Sequence, residues 1–218
     1  MSAPEGPPPL VVAIDGAAGS GKSTLARALA ESLGLPYVNT GLMYRALARA
    51  ALDFTVDLDD ERSLTELTRG LRVRLTSSSP VELEIEGYPA DVLHTVEVDA
   101  AVSRASRHPS VRALLRDAQR ALAEGGAVME GRDIGTVVCP DAPVKLFLRA
   151  DDDERRIRRS RERGDDETAV AAALHARAST DARVNPLEPA ADAVTVDTSH
   201  ATPAATLALA LEIVRARR

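Results

Sequence analysis

The stretch Gly16-Ala17-Ala18-Gly19-Ser20-Gly21-Lys22-Ser23 fits the pattern G-x-x-x-x-G-K-[ST], and few architectures can carry it. Before it, Leu10-Val11-Val12-Ala13-Ile14 reads as a short apolar strand, rich in β-branched residues. After it, Leu25, Leu29 and Leu33 recur at the spacing of one helix face. Strand, glycine loop and helix form the setting in which the pattern cradles phosphate. Glycines let successive N–H groups turn inward around an anion, and the helix start adds its dipole. On this reading Gly16 to Thr24 (with Ala17, Ala18, Gly19, Ser20 and Gly21) wrap a triphosphate. Lys22 reaches its outer phosphates, and the Ser23 hydroxyl faces Mg²⁺. The chain has 27 Lys+Arg, yet its only lysines are Lys22 and Lys145, so a lysine in this loop carries weight.

The elements that follow alternate. Gly34 closes the first helix, and 35–39 read as a second strand. Thr40 opens a helix to about Leu52. Later strands are expected at Ala127–Met129, Val144–Leu148 and Ala193–Asp197, with helices at 96–105, 110–124, 151–163, then to about Ala182, and 203–217. This rhythm predicts an α/β fold, a five-stranded parallel sheet flanked by helices, with ligands at the carboxyl ends of the strands. The rhythm breaks at residues 55–96. There a helix capped by Asp59 or Asp60 precedes Leu71–Leu75, Ser77-Ser78-Ser79-Pro80 and Val81–Glu86. Alternating arginines on one run and glutamates on the other predict an antiparallel hairpin. The expected organisation is a disordered lead-in (1–9), a core domain (10–54 and 97–218) and an inserted lobe (55–96), with a lid at about 155–184.

At 218 residues with net charge −6, the chain is one large domain and no general nucleic-acid binder. A lone Cys139 excludes an internal disulfide and suits a reducing, cytoplasmic setting. No apolar run approaches the ~20 residues of a membrane span. The four histidines lack metal-ligand spacing.

Three clusters lie near the expected carboxyl ends of strands. Arg45 follows the second strand; spacing alone leaves it either a solvated helix arginine or a fork for a phosphate. Gly131-Arg132-Asp133 directly follows the third strand, where an Arg-Asp pair can neutralise phosphate and organise Mg²⁺ waters, or form a structural ion pair. The run Arg155 to Arg163, followed by Arg177, Asp181 and Arg183, reads as a solvated face or as a lid whose arginines close over phosphates. Met43 and Tyr44 read as helix packing.

With Thr40-Gly41-Leu42-Met43-Tyr44-Arg45, the hairpin insert, Pro109-Ser110-Val111-Arg112, Glu130-Gly131-Arg132-Asp133-Ile134-Gly135-Thr136 and Pro186-Leu187, the chain resembles the bacterial cytidylate kinases, in order from about residue 10 to 200. The resemblance implies ATP and Mg²⁺, with CMP or dCMP as acceptor; a monomer acting on small nucleotides, with no nucleic-acid or membrane partner, is expected. It implies that Thr40, Arg112, Asp133 and Arg183 meet the cytosine. Ser103, Arg177 and Asp181 would meet the sugar, and Arg45 and Arg132 the acceptor phosphate. Lys22, Arg132 and Arg177 would carry catalysis, and Asp133 would touch Mg²⁺ through water. Asp133 accepting from the base amino group, with Arg112 donating to its acceptors, suits cytosine over uracil. This chain departs from the family at Asn39 and His94, and Arg183 falls one residue early. A kinase for UMP or shikimate, and a non-enzymatic nucleotide sensor or switch, are the alternatives.

Overall fold

In the computed structural model, residues 9–163 and 187–217 are described below. The order is β1 (Val11–Gly16), α1 (Lys22–Leu33), β2 (Tyr37–Asn39), α2 (Thr40–Asp53), α3 (Glu61–Gly70), β3 (Val73–Leu75), β4 (Leu83–Ile85), α4 (Ala90–Leu93), α5 (Val96–Ala105), α6 (Pro109–Ala123) and β5 (Ala127–Gly131). A π-helical segment, Ile134–Val138, then leads to β6 (Val144–Arg149), α7 (Asp152–Arg163), β7 (Val194–Asp197) and α8 (Pro203–Arg217).

The five long-range strands form one sheet in the order β2-β5-β1-β6-β7, and every pairing is parallel. The sheet is therefore the expected one. β1 is central and nearly all apolar, with Val12, Ala13 and Ile14 at 0% exposure, as a strand covered on both faces must be. Register decides what meets at the carboxyl edge: Asp15 stands opposite Gly131, and Asn39 opposite Glu130. The glycine loop, the start of α2 and the Gly-Arg-Asp turn are thus brought together by strand pairing alone.

Helix α1 packs Leu25 and Leu29 on one side of the sheet, in a core shared with β6, β7 and α8. A second core gathers α2, α5 and α6 with Leu64 of α3, Ile85 of β4 and Leu93 of α4. Each fully buried leucine here contributes about 1.5–3 kcal/mol of transfer free energy. Asp60 caps α3, accepting from the N–H groups of Arg62 and Ser63. In the hairpin Arg74 lies opposite Glu84 and pairs with it at 3.0 Å, as the alternating charges imply. Both side chains are well exposed, so the pair fixes register more than it stabilises. The helix α4 and the π-helical segment carry no sequence signal of their own. The helix expected to about Ala182 begins beyond α7 and lies outside the described residues, as do residues 1–8 of the lead-in.

Candidate active site

The glycine loop binds its own helix without a side-chain cap. Gly21, at φ 86°, is the N-cap of α1, no side chain caps it, and no acid lies in the first turn. The positive end of the helix is therefore left for an anion. Lys22 donates to the Ala17 carbonyl at 2.7 Å, which folds it back over the loop. At Gly19, φ 78°, a side chain would stand 2.7 Å from the Arg155 carbonyl, so the start of α7 packs directly on the loop. Arg155 adds a bond from Nη1 to the Ala18 carbonyl at 3.3 Å.

Two buried acids brace this loop against β5. Asp15, 5% exposed, accepts from the N–H groups of Ile134 and Gly135, both at 2.8 Å. Burial pushes its carboxyl above the usual range, and those two bonds work against the shift. Glu130, 3% exposed, accepts from Ser23 Oγ at 2.9 Å through Oε2 and from the Tyr37 hydroxyl through Oε1. Burial and then the charge of Glu130 push the Tyr37 phenol well above its ordinary value. Thr40 Oγ1 donates to the Glu130 carbonyl at 2.8 Å, which fixes α2 to the end of β5. The resident oxygen donors suit Mg²⁺, which takes few protein ligands and keeps phosphate and water oxygens. Among the described residues no group of three or more His, Cys, Asp or Glu is placed to hold a metal ion.

A cavity of about 160 Å³ opens over the loop, lined by Lys22 and Ser23 on one side and by Arg45 and Arg132 on the other, with Gly41, His94 and Glu130. Of the two readings of Arg45, burial removes the solvated one. Its side chain is 7% exposed, donates to the Leu93 carbonyl at 2.8 Å, and pairs with Asp99 at 2.6 Å. Beside it Arg112 of α6 pairs with Asp133 at 3.1 Å, with side chains 12% and 14% exposed. Tyr44 is packed against that pair and Gln119; burial chiefly raises its phenol. Met43 is a core residue, as its spacing implies. Ser103 is half-buried on α5. Arg177, Asp181 and Arg183 lie outside the described residues.

A second cavity, about 320 Å³, adjoins the loop on its other side, lined by Gly19, Gly21, Thr24, Arg158, Thr198 and Pro203. Arg158 donates to the Thr198 carbonyl at 2.5 Å, and Thr198 Oγ1 donates to the Ser20 carbonyl at 2.9 Å. The loop after β7 is thereby tied to both the glycine loop and α7.

Sequence reasoning gave no site role to Glu130, Asp15, Tyr37 or Thr198. The signal available for the two acids was position, each at or next to the last residue of a central strand. For Tyr37 and Thr198 no local signal existed.

Comparison with known proteins extends this geometry. The family profile described as cytidylate kinase matches residues 12–216. A cytidylate kinase of Methylobacterium sp. (strain 4-46) is 50% identical over 157 residues, covering 71% of this chain and 69% of the relative. One from Methylocella silvestris is 43% identical over 214 residues, covering 94% of each. Among solved structures, an uncharacterized protein from Eubacterium ventriosum aligns at TM-score 0.54 and 13% identity, over 95% of this chain and 99% of that one, a likeness of fold.

Proposed function

The chain belongs to the cytidylate kinase family, and from that premise we propose that it transfers the γ-phosphoryl group of ATP to CMP or dCMP, giving ADP and CDP or dCDP. The observation that carries the reading is the shared cavity, in which the lysine-bearing loop and two arginines from α2 and the β5 turn line one space. Two polyphosphates meeting end to end need that arrangement of cations.

The acceptor is a phosphate oxygen of the monophosphate, already ionised at neutral pH, so no general base is required. That oxygen forms the new bond to the γ-phosphorus as the bond to the β-phosphate oxygen breaks, and ADP carries off the electron pair. Lys22 and the N–H groups of Gly16 to Thr24 hold the donor phosphates, and Arg45 and Arg132 hold the acceptor phosphate. The Ser23 hydroxyl would help hold Mg²⁺, which when bound would supply charge neutralisation at the donor phosphates. The cavity beside Thr198 and Arg158 suits the nucleoside end of ATP, since it is walled by Pro203, Ala201 and Leu25.

Recognition of the base is assigned to Thr40, Arg112 and Asp133, with Arg183, and recognition of the sugar to Ser103, Arg177 and Asp181. Arg177 also completes the cations around the moving group. The Thr40 proton is committed to the Glu130 carbonyl, so its oxygen is left to accept from an amino group such as cytosine N4. Asp133 keeps one carboxylate oxygen beyond its contact with Arg112, which suits the same donor or a metal-bound water. The stretch 55–96 is proposed as a lobe over the acceptor and about 155–184 as a lid; their closure excludes water, which would otherwise take the phosphoryl group. The enzyme is taken as a cytoplasmic monomer near 23.1 kDa acting on small nucleotides without nucleic acid, which sedimentation checks.

The deciding experiment is coupled ADP release with CMP, dCMP, UMP, AMP and shikimate. Repeated turnover with CMP and dCMP is expected. Faster turnover of AMP or shikimate overturns the substrate assignment, and absence of multiple turnover with any acceptor overturns the enzyme reading.

A further inference from the structure

We infer that Tyr37 is a positioning residue for this reaction: its hydroxyl holds Glu130 so that Ser23 must give its proton to Glu130 and turn its lone pairs toward the phosphate cavity. The inference rests on the reading of the glycine loop as the ATP site, and it adds a residue outside both the loop and the set of arginines.

Tyr37 is held from several directions. Its N–H donates to the Val81 carbonyl at 2.9 Å, tying β2 to the approach of the hairpin. Its ring is 4% exposed and lies under the Arg27 guanidinium, 4.9 Å from the ring centroid. Arg27 is itself paired with Glu82, next to Val81. So α1, β2 and the chain entering β4 converge on one aromatic ring and set the direction of its hydroxyl, with Ser23 also beside it.

That direction is Glu130. The phenol donates to Oε1, and Ser23 Oγ donates to Oε2 at 2.9 Å. A carboxylate has no proton to return. Once the phenol fixes one oxygen, the plane of the group is set and the other oxygen is aimed at Ser23. The serine has a single proton; given to Glu130, it leaves only lone pairs on the side facing the cavity that both residues line. A hydroxyl free to spin would spend part of its time presenting a proton where a cation must approach. A tyrosine needed only for packing could satisfy its hydroxyl on any nearby carbonyl. Here it is directed to the acid that accepts the Ser23 proton.

The test is a Mg²⁺ titration of the binding of a fluorescent N-methylanthraniloyl ADP to the full chain and to Tyr37→Phe. Phenylalanine fills the same space and removes one oxygen. The Mg²⁺ concentration giving half of the affinity gain is expected to rise about tenfold, the scale of one hydrogen bond to a charged group. Affinity measured in EDTA is expected to stay unchanged. In a Ser23→Ala background the same substitution is expected to add no further shift, because the hydroxyl it works through is gone. An unchanged Mg²⁺ requirement, an equal shift in the Ser23→Ala background, or a Tyr37→Phe chain that does not melt cooperatively would each overturn the inference in favour of a structural tyrosine. Failure of the unsubstituted chain to bind the probe, or to respond to Mg²⁺, would instead overturn the underlying ATP-site reading.

Discussion

Replacing Gly131 with alanine tests how the two halves of the site are joined. Gly131 ends β5, and its backbone is not among those with positive φ, so its need for glycine is a matter of space. A Cβ there would stand 2.7 Å from Thr40 Oγ1, 2.7 Å from Ile134 Cδ1 and 2.8 Å from Ile134 Cγ1. Neither neighbour can yield cheaply. Ile134 is fully buried, and Thr40 is 4% exposed and bonded to the Glu130 carbonyl. Overpacking of this kind costs roughly 1–3 kcal/mol. For a chain of this size that is a fall in Tm of roughly 2–12 °C. The functional loss should be lopsided. Relief of the clash swings Thr40 and the Arg132-Asp133 turn, both on the acceptor side, and leaves the glycine loop in place. KM for CMP is expected to rise on the order of tenfold, the scale of a displaced polar contact, with KM for ATP changed much less. Adding Thr40→Ala removes one of the contacts and should restore part of the lost Tm without restoring CMP affinity. Calorimetry and steady-state kinetics read both effects. An unchanged Tm together with an unchanged KM for CMP would refute the claim that this glycine holds the β5 turn against α2.

Lys22→Ala is expected to lower kcat by about 100-fold or more while the melting curve stays close to that of the parent, since the lysine's bond to the Ala17 carbonyl is local to the loop. Asp133→Ala is expected to raise KM for CMP by roughly 10- to 100-fold and KM for ATP far less; equal losses would remove the base-reading role. Asp15 gives a pH signature. Its carboxyl is raised in the folded chain, chiefly by burial, so its proton-linked stability is fully present below the usual value of 3.8 and is lost as pH rises through the raised value. Asp15→Asn should therefore flatten the melting temperature over the acid-to-neutral range, and an unaltered pH profile would count against the burial argument.

The fold was legible because its signals are periodic. Leu25, Leu29 and Leu33 mark one face of α1, and the apolar runs of β1, β5 and β6 mark strands covered on both sides. The hairpin was legible because Arg74 and Glu84 sit at matching positions of two alternating runs. The site was legible only where glycine or charge density marks it. The sequence could nominate Arg45 and Arg132, but it could not separate them from solvated arginines, because burial is set by the other elements: α5 supplies Asp99 and the α4 turn supplies the Leu93 carbonyl. The π-helical segment was invisible for a like reason. Its first N–H groups are satisfied by Asp15, 119 and 120 residues away in sequence, and no local pattern records that.

The pairing of the site's arginines resolves an apparent conflict between an acidic chain and an anionic substrate. With net charge −6 the whole molecule repels nucleotides weakly at long range, so attraction must be made locally. The cations that line or border the phosphate cavity are not left loose. Arg45 is held by Asp99, Arg112 by Asp133, and Arg155 by Asp152 at 2.5 Å. A long arginine that must be ordered on binding spends side-chain entropy of up to about 2 kcal/mol, and a paired one has already spent it in folding. Arg45 and Arg112 each turn Nη2 to their carboxylate, so the acid sets the direction of the guanidinium plane. The acids that make the chain negative are thus the groups that hold its arginines in place. Removing Asp99 should weaken acceptor binding through lost order at Arg45, although net negative charge is reduced; tighter CMP binding by Asp99→Asn would show that long-range charge, and not local order, controls the site.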